Sequence, residues 1–420
     1  MNTVVHVPRR FVAEEWGGTE TVLLEISKQQ QRAGQHPVIL TSMALARRRD
    51  EIIGGVPVKR CPYCYPFLGL SAADKAALDK KGGNLLSLSL FAALLREPDV
   101  RLFHAHALKR LGGEVRTAAR LRKKPFVVSL HGGVFDVPTA ELGTMLKPIE
   151  NKPEWGKPFG ALFGSRRVLD DADQVICVGQ SEMEKAKREL HHDRIAYLPN
   201  GVDCAKFSSG DGTAFRAKHG IGADAFLVLN ISRIDAQKNQ RLLLESFAQF
   251  RRASKLDAHL VLIGPETQPD YAAKLRAFIA SEQLEGCVRI LPGLRNDDPD
   301  LVNAFYACDV FVLPSMHEPF GIVVLEAWSA GRAVIASRVG GLQALVRDDD
   351  TGWFIEPGNA AMLAEKLQRL AAEPVTRARL AAAGKAEALR CYDWREIGRQ
   401  LEELYAKAEE HAARRYRKVS

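Results

Sequence analysis

Short apolar strands alternate with helical stretches along this chain, and the alternation runs twice. Thr3–Val7 reads as a strand, followed by a loop ending at Gly17-Gly18 and a helix over about Thr19–Ala33 that Gly34 stops. Val38-Ile39-Leu40, Leu102–His104, Phe126–Leu130, Gln174–Val178 and Arg194–Leu198 continue the pattern. Pro199-Asn200-Gly201 is a turn signal and a candidate junction, after which the pattern restarts. Phe226–Ile231, His259–Ile263, Val288–Leu291, Val310–Leu313 and Ala333–Ala336 are the second set of strands, with helices over Gln240–Arg252 and Gly321–Ala330. Strands alternating with helices mean a parallel sheet covered on both faces. The chain therefore predicts an α/β protein with two Rossmann-like domains, and in such sheets ligands bind at the carboxyl ends of the strands.

Length agrees, since 420 residues are too many for one ordinary core and suit two domains of about 200. No run of 18 apolar residues exists, so no membrane-spanning helix is expected, and Leu85–Leu95 is of core-helix length. Met1 to Pro8 reads as a first strand rather than a signal peptide. Seven scattered cysteines fit a reducing cytoplasm, and Cys61-Pro62-Tyr63-Cys64 is a lone C-x-x-C with no second pair to complete a zinc site. The segment Gly132–Gly164, rich in Pro and Gly, breaks the rhythm and reads as an inserted loop region beside a site.

Residues 1–200 carry 30 Lys and Arg against 22 Asp and Glu, while residues 201–420 carry 29 of each, so the whole net charge of +8 sits in the first half. That charge serves solubility, or it meets an anionic surface such as a bilayer or a lipid diphosphate through Arg47, Arg48, Arg49, Arg122, Lys123 and Lys124. Nucleic acid is not expected as a partner, because the basic clusters lack interleaved aromatics and no recognised module is present.

The strongest local signal is Glu318-Pro319-Phe320-Gly321-Ile322-Val323-Val324-Leu325-Glu326. A strand ends, a loop carries Glu318, and a helix opens near Gly321, placing Glu326 five residues in, about 7.5 Å along the axis. Free amides and the helix dipole make an anion site, and carboxylates on either side accept hydrogen bonds from hydroxyls. The combination suits a diphosphate flanked by sugars. Arg233 and Lys238, in the Ser232–Asn239 loop after the first strand of the second half, can converge on that diphosphate and stabilise its departure. Gly17-Gly18 either lets a backbone approach a phosphate or is a plain turn, and it is not a dinucleotide fingerprint. His131, after Phe126–Leu130, is placed at the reacting sugar. His104 and His106 share one face by alternation and read as structural, because no third metal ligand is evident.

These residues resemble glycosyltransferase family 4, a retaining family of GT-B fold. The resemblance rests on Gly17-Gly18-Thr19-Glu20, His104-Ala105-His106, Ser129-Leu130-His131-Gly132, Pro199-Asn200-Gly201-Val202-Asp203, Ser232-Arg233 with Lys238, and the Glu318–Glu326 segment. It implies two facing Rossmann-like domains with a cleft between them: residues 1–200 for the acceptor, 201–390 for the nucleotide-sugar, and a helix over 391–420 crossing back. It implies donor contacts from Gly17, Gly18, Arg233, Lys238, Glu318, Phe320, Gly321, Ile322, Val323 and Glu326. Of these, Arg233, Lys238 and Glu318 are joined by His131 as the catalytic set. Glu326 would take the ribose, Glu318 the donor sugar and His131 the transferred sugar. No metal and no cofactor is implied. Ser232 stands where the family often has Gly.

The expected reaction is hexosyl transfer with retention from a nucleotide-diphosphate sugar, a UDP-sugar favoured over GDP-mannose. The acceptor would be a hydroxyl on a lipid-linked or saccharide molecule in polysaccharide or glycolipid assembly. The expected location is the cytoplasm, peripheral on the inner face of the membrane. The rivals are a catalytically silent nucleotide-sugar-binding subunit, another GT-B reaction such as sugar-nucleotide epimerisation, and a nicotinamide dehydrogenase. The dehydrogenase lacks its fingerprint.

Overall fold

The computed structural model describes residues 2–13, 16–80, 82–132 and 146–417. The chain divides into two compact units, Met1–Pro199 with Ile397–Ser420, and Asn200–Glu396.

The first unit holds eight strands: β1 (Thr3–Val7), β2 (His36–Ser42), β3 (Asp50–Ile53), β4 (Val56–Cys61), β5 (Val100–Ala105), β6 (Phe126–Leu130), β7 (Gln174–Cys177) and β8 (Ile195–Tyr197). Their order is β3-β4-β2-β1-β5-β6-β7-β8. Every residue of β1 and β6 is buried, as strands covered on both faces require. One part departs from the expected all-parallel sheet. β3 pairs antiparallel with β4 at the edge, and the turn between them is Gly54-Gly55, both at positive φ. A two-residue connection with both φ positive is the hairpin turn whose twist matches the strands, and glycine adopts it without a steric cost.

The second unit is a six-stranded parallel sheet of β9 (Phe226–Ile231), β10 (Ala258–Ile263), β11 (Val288–Leu291), β12 (Val310–Leu313), β13 (Ala333–Ser337) and β14 (Trp353–Ile355). The order is β11-β10-β9-β12-β13-β14. Counted from β9 this is 3-2-1-4-5-6, the doubly wound order, with its reversal point between β9 and β12. Alternation splits the core. Leu227, Leu229, Phe311 and Leu313 pack on one face, while Phe226, Val228, Val310 and Val312 pack on the other. Each such side chain contributes about 1.5–3 kcal/mol by full burial. The first unit has the same logic, with its reversal between β1 and β5.

The helix Trp394–Arg417 starts in the second unit, and its residues from Ile397 belong to the first. Ile397, Leu401, Leu404, Tyr405, Ala408 and Ala412 form its buried stripe. Arg101 reaches Glu402 and Glu409, both at 2.8 Å, and Arg415 reaches Asp173 at 2.9 Å.

Two further expectations change. The helix in the apolar run spans Leu88–Arg96, beginning at the Ser87 cap, whose hydroxyl accepts from the Leu90 amide. Of the Gly132–Gly164 insert, residues 133–145 lie outside the described residues, and the remainder includes a 3-10 turn at Lys147–Ile149 and a helix at Lys157–Leu162. All seven cysteines are free, Cys61 and Cys64 included. Among the described residues no helix is long and apolar enough to cross a membrane.

Candidate functional site

The reversal point of the second sheet brings the basic loop and the Glu318 loop together. β9 and β12 are neighbours, so the segments that leave their carboxyl ends run side by side. The floor is polar and hydrogen-bonded except at Gln240 Oε1, which is buried without a partner among the described residues. Asn230 Nδ2 donates to the Val312 carbonyl at 2.8 Å, and Ser232 Oγ donates to Asn230 Oδ1 at 2.8 Å. Gln240 Nε2 donates to Ser232 Oγ at 2.9 Å and to the Arg233 carbonyl at 2.7 Å. Met316 N donates to the Gln237 carbonyl at 2.8 Å, which ties one loop to the other.

On this floor Lys238 Nζ donates to Glu318 Oε2 at 2.6 Å, and both side chains are largely buried. Glu318, expected to take the donor sugar, therefore has one oxygen engaged by Lys238. Arg233 is 48% exposed and lies 3.2 Å from Asp235 Oδ2, so its fork is open to solvent and to a ligand.

Gly321 caps the helix Ile322–Ser329 at φ +95°, a left-handed conformation that glycine tolerates. A Cβ there would also stand 2.6 Å from Leu342 Cδ2. The helix starts one residue later than expected, and no side chain caps it. The amides of Ile322 and Val323 are thus available to an anion. Phe320 is buried beside them. Glu326 is half-buried on the first turns, with no hydrogen bond to its carboxylate among the described residues. Burial pushes its pKa up to about 7, which the charge of Lys206 partly opposes.

Close backbone packing holds this arrangement. A Cβ on Gly264 would collide with the Ser232 carbonyl, and one on Gly341 with the Pro319 carbonyl. Gly341 N donates to the Glu318 carbonyl at 2.9 Å. Gly264, Gly340, Gly341, Asn230 and Gln240 were not legible as site residues. The Gly340-Gly341 pair after β13 was the one available signal.

In the first unit Gly17 precedes the helix Gly18–Arg32 in extended backbone at φ −142°, so no positive φ demands glycine there. Trp16 Nε1 donates to Thr21 Oγ1 at 2.9 Å across the turn. Residues 14 and 15 of that loop lie outside the described residues, as does Gly133 after His131.

The histidines differ most from expectation. His6 on β1 pairs in register with His104 on β5, and supplies the third imidazole beside His104 and His106 that the sequence did not reveal. Nitrogens of the three lie within 4.8 Å of one another. Yet each ring nitrogen already has a partner. His6 Nδ1 is 3.0 Å from His106 Nε2, and His6 Nε2 is 2.9 Å from Gln30 Oε1. His104 lies 2.8 Å from Tyr405 Oη and 2.7 Å from Ser129 Oγ. His106 Nδ1 is 2.8 Å from His131 Nε2. A metal ion would have to displace several of these bonds. Burial pushes the pKa of His6 and of His131 down to about 4, and those of His104 and His106 well below 6.5, so all four rings are neutral at pH 7.

The six basic residues read as a candidate anion-facing surface do not form one face. Arg47, Arg48 and Arg49 are exposed and follow β2, at the carboxyl edge of the sheet. Arg122, Lys123 and Lys124 precede β6, at the amino edge. Arg122 is moreover used internally, donating to the Leu94 carbonyl at 2.9 Å and lying over the Phe103 ring.

Comparison with known proteins agrees with this architecture. Residues 16–206 match the model described as Glycosyltransferase Family 4, and residues 211–387 the model described as Glycosyl transferases group 1. A D-inositol 3-phosphate glycosyltransferase of Frankia alni is 31% identical over 387 residues, covering 87% of this chain and 88% of the relative. One of Catenulispora acidiphila is 29% identical over 409 residues, covering 93% and 91%. Among solved structures, HepE of Anabaena, crystallised with UDP and glucose, superposes with a TM-score of 0.71 at 19% identity, covering 97% of this chain and 100% of that one. The chain thus belongs to glycosyltransferase family 4 and has the GT-B fold.

Proposed function

We propose that this chain is a retaining hexosyltransferase that uses a nucleoside-diphosphate sugar and needs no divalent metal. The observation that carries the reading is the meeting of Arg233, the Lys238–Glu318 pair, the Ile322 and Val323 amides and Glu326 at one sheet reversal point. The diphosphate lies on the amides, between the two cations. Glu326 accepts hydrogen bonds from the ribose, and Glu318, through its oxygen not held by Lys238, accepts from the donor sugar. Phe320 and Gly321 shape the approach, and the Gly17-Gly18 turn bounds the phosphate side. His131 contacts the transferred sugar.

In the reaction the bond from the anomeric carbon to the diphosphate oxygen breaks, and the acceptor oxygen bonds to the same face of that carbon. The departing phosphate takes the acceptor's proton. Charge grows on the diphosphate as it leaves, so fixed cations act more on the transition state than on the bound donor. UDP is favoured as the nucleotide. The acceptor is an anionic, phosphate-bearing molecule. The net charge of +8 in the first half suits one, and the relatives above are named for acting on D-inositol 3-phosphate. A lipid-linked phosphate shares that chemistry, with assembly of a polysaccharide or glycolipid as the context.

The test is release of nucleoside diphosphate from UDP- and GDP-sugars with inositol 3-phosphate or with a lipid phosphate in detergent. Acceptor-dependent release that Arg233→Ala lowers by about 100-fold or more supports the reading. Tight donor binding with no release, whatever the acceptor, would support a silent binding subunit instead.

A further inference from the structure

The reversal point of the first sheet holds a hydrogen-bonded histidine array of which the proposed transfer uses only His131. Its members come from four elements: His6 from β1, His104 and His106 from β5 and just beyond it, His131 from the end of β6, and Gln30 from the helix Gly18–Arg32. All but His106 and His131 are fully or almost fully buried. Each neutral ring carries one N–H and one bare nitrogen, so the hydrogen bonds must all run in one direction.

Gln30 sets that direction. Its amide nitrogen donates to Tyr405 Oη at 3.2 Å, which leaves its oxygen facing His6 Nε2 at 2.9 Å. An amide oxygen only accepts, so the proton of His6 is on Nε2 and its Nδ1 is bare. His106 must then donate to that Nδ1 through Nε2, at 3.0 Å. His106 Nδ1 is therefore bare, and His131 must donate to it through Nε2, at 2.8 Å. The other branch follows from the same amide. Tyr405 Oη, accepting from Gln30, donates to His104 Nδ1, and His104 Nε2 donates to Ser129 Oγ. Turning the amide over would reverse both branches at once.

We propose that Gln30, acting through His6 and His106, fixes His131 as the tautomer with its proton on Nε2 and a bare Nδ1, and that this Nδ1 accepts a hydrogen bond from a hydroxyl of the transferred sugar. The second half rests on the contact assigned to His131 under the proposed function. Nδ1 of His131 has no partner among the described residues, and the ring is only half-buried. Gln30, His6 and His106 are positioning residues. An imidazole that must accept rather than donate selects a hydroxyl over an ether or carbonyl oxygen at that place. With every pKa pushed down by burial, the selection holds across the neutral range.

The experiment is long-range proton–nitrogen correlation NMR on the full chain labelled in histidine nitrogen, with His131 assigned by difference from His131→Gln. The expected spectrum has a bare Nδ1 and a protonated Nε2 on His131, unchanged from pH 5.5 to pH 8. A proton on His131 Nδ1, or stoichiometric metal in the purified protein, overturns the network. Gln30→Met should lose the single pattern, and Gln30→Glu, an acceptor when ionised, should keep it. If either variant fails to fold, the wild-type spectrum still decides the tautomer. Turnover is then measured with donors each lacking one sugar hydroxyl. Removing the hydroxyl that bonds to His131 should slow the wild type about tenfold, the scale of one hydrogen bond, and slow Gln30→Met much less. A fixed tautomer with no such coupling for any hydroxyl overturns the sugar contact while the network stands.

Discussion

Replacing Lys238 by Met separates two things the lysine does. Its ammonium is 2.6 Å from Glu318 Oε2, with side-chain exposures of 14% and 10%. Removing one partner of a pair so far from water leaves a buried carboxylate whose remaining neighbour, Ser315 Oγ, is 3.5 Å away. Breaking such a pair costs about 3–5 kcal/mol, less whatever Glu318 recovers by taking up a proton. For a unit of this size the loss corresponds to a Tm lower by about 6–20 °C. The double variant Lys238→Met with Glu318→Gln removes the stranded charge and should recover most of that Tm. Turnover should not recover. Losing a cation at the leaving diphosphate costs about 3 kcal/mol in the transition state, or about 100-fold in kcat, and the amide at 318 cannot restore it. Differential scanning fluorimetry and nucleoside-diphosphate release, read on all four members of the cycle, give both quantities. A double variant that regains both Tm and kcat would make the pair a structural element and refute its place in catalysis.

If two cations and a helix terminus hold the diphosphate, as proposed, activity should persist in excess EDTA; loss of turnover that Mg²⁺ or Mn²⁺ restores would show that they do not suffice. Burial raises the Glu326 pKa from 4.5 to about 7, so the group binds its proton more tightly folded than unfolded. Its contribution to stability without ligand therefore falls as pH rises from about 4.5 through about 7. Affinity for UDP should move the other way, rising about tenfold between pH 6 and pH 8 as the ionised form becomes the stronger acceptor. Calorimetric titration checks this, and Glu326→Gln should flatten the profile. Gly341→Ala would drive a methyl group into the Pro319 carbonyl and displace the backbone at Glu318. A stability loss of about 1–3 kcal/mol and a larger loss of UDP affinity are expected, and an unchanged Kd would separate that backbone from the site.

What could be read from the sequence was local. The strand–helix rhythm is a period, and runs such as Phe226–Ile231 or Val310–Leu313 carry it within a few residues. The Glu318–Glu326 segment was legible because a strand end, a glycine and a helix start are contiguous. Strand order is not a local property. Lys238 and Glu318 were each read as site residues, but their pairing across 80 positions follows from β9 lying beside β12. His6 had no motif at all, and its place opposite His104 follows from β1 lying beside β5. The β3–β4 hairpin escaped because Asp50-Glu51 follows three arginines and reads as loop, although Gly54-Gly55 between apolar pairs was its turn signal. Arg122 read as surface charge because composition cannot show that a guanidinium caps a carbonyl and covers a ring.

Thermal shift with UDP, GDP and ADP measures whether the reversal point of the second sheet binds a nucleoside diphosphate. A ligand at about 100 times its Kd that binds only the native state adds about 2.7 kcal/mol, which should raise Tm by about 5–10 °C. That rise is expected for UDP with the wild type, and its near disappearance in the Lys238→Met, Glu318→Gln double variant. No shift with any of the three nucleotides, or an equal shift in the double variant, would contradict it.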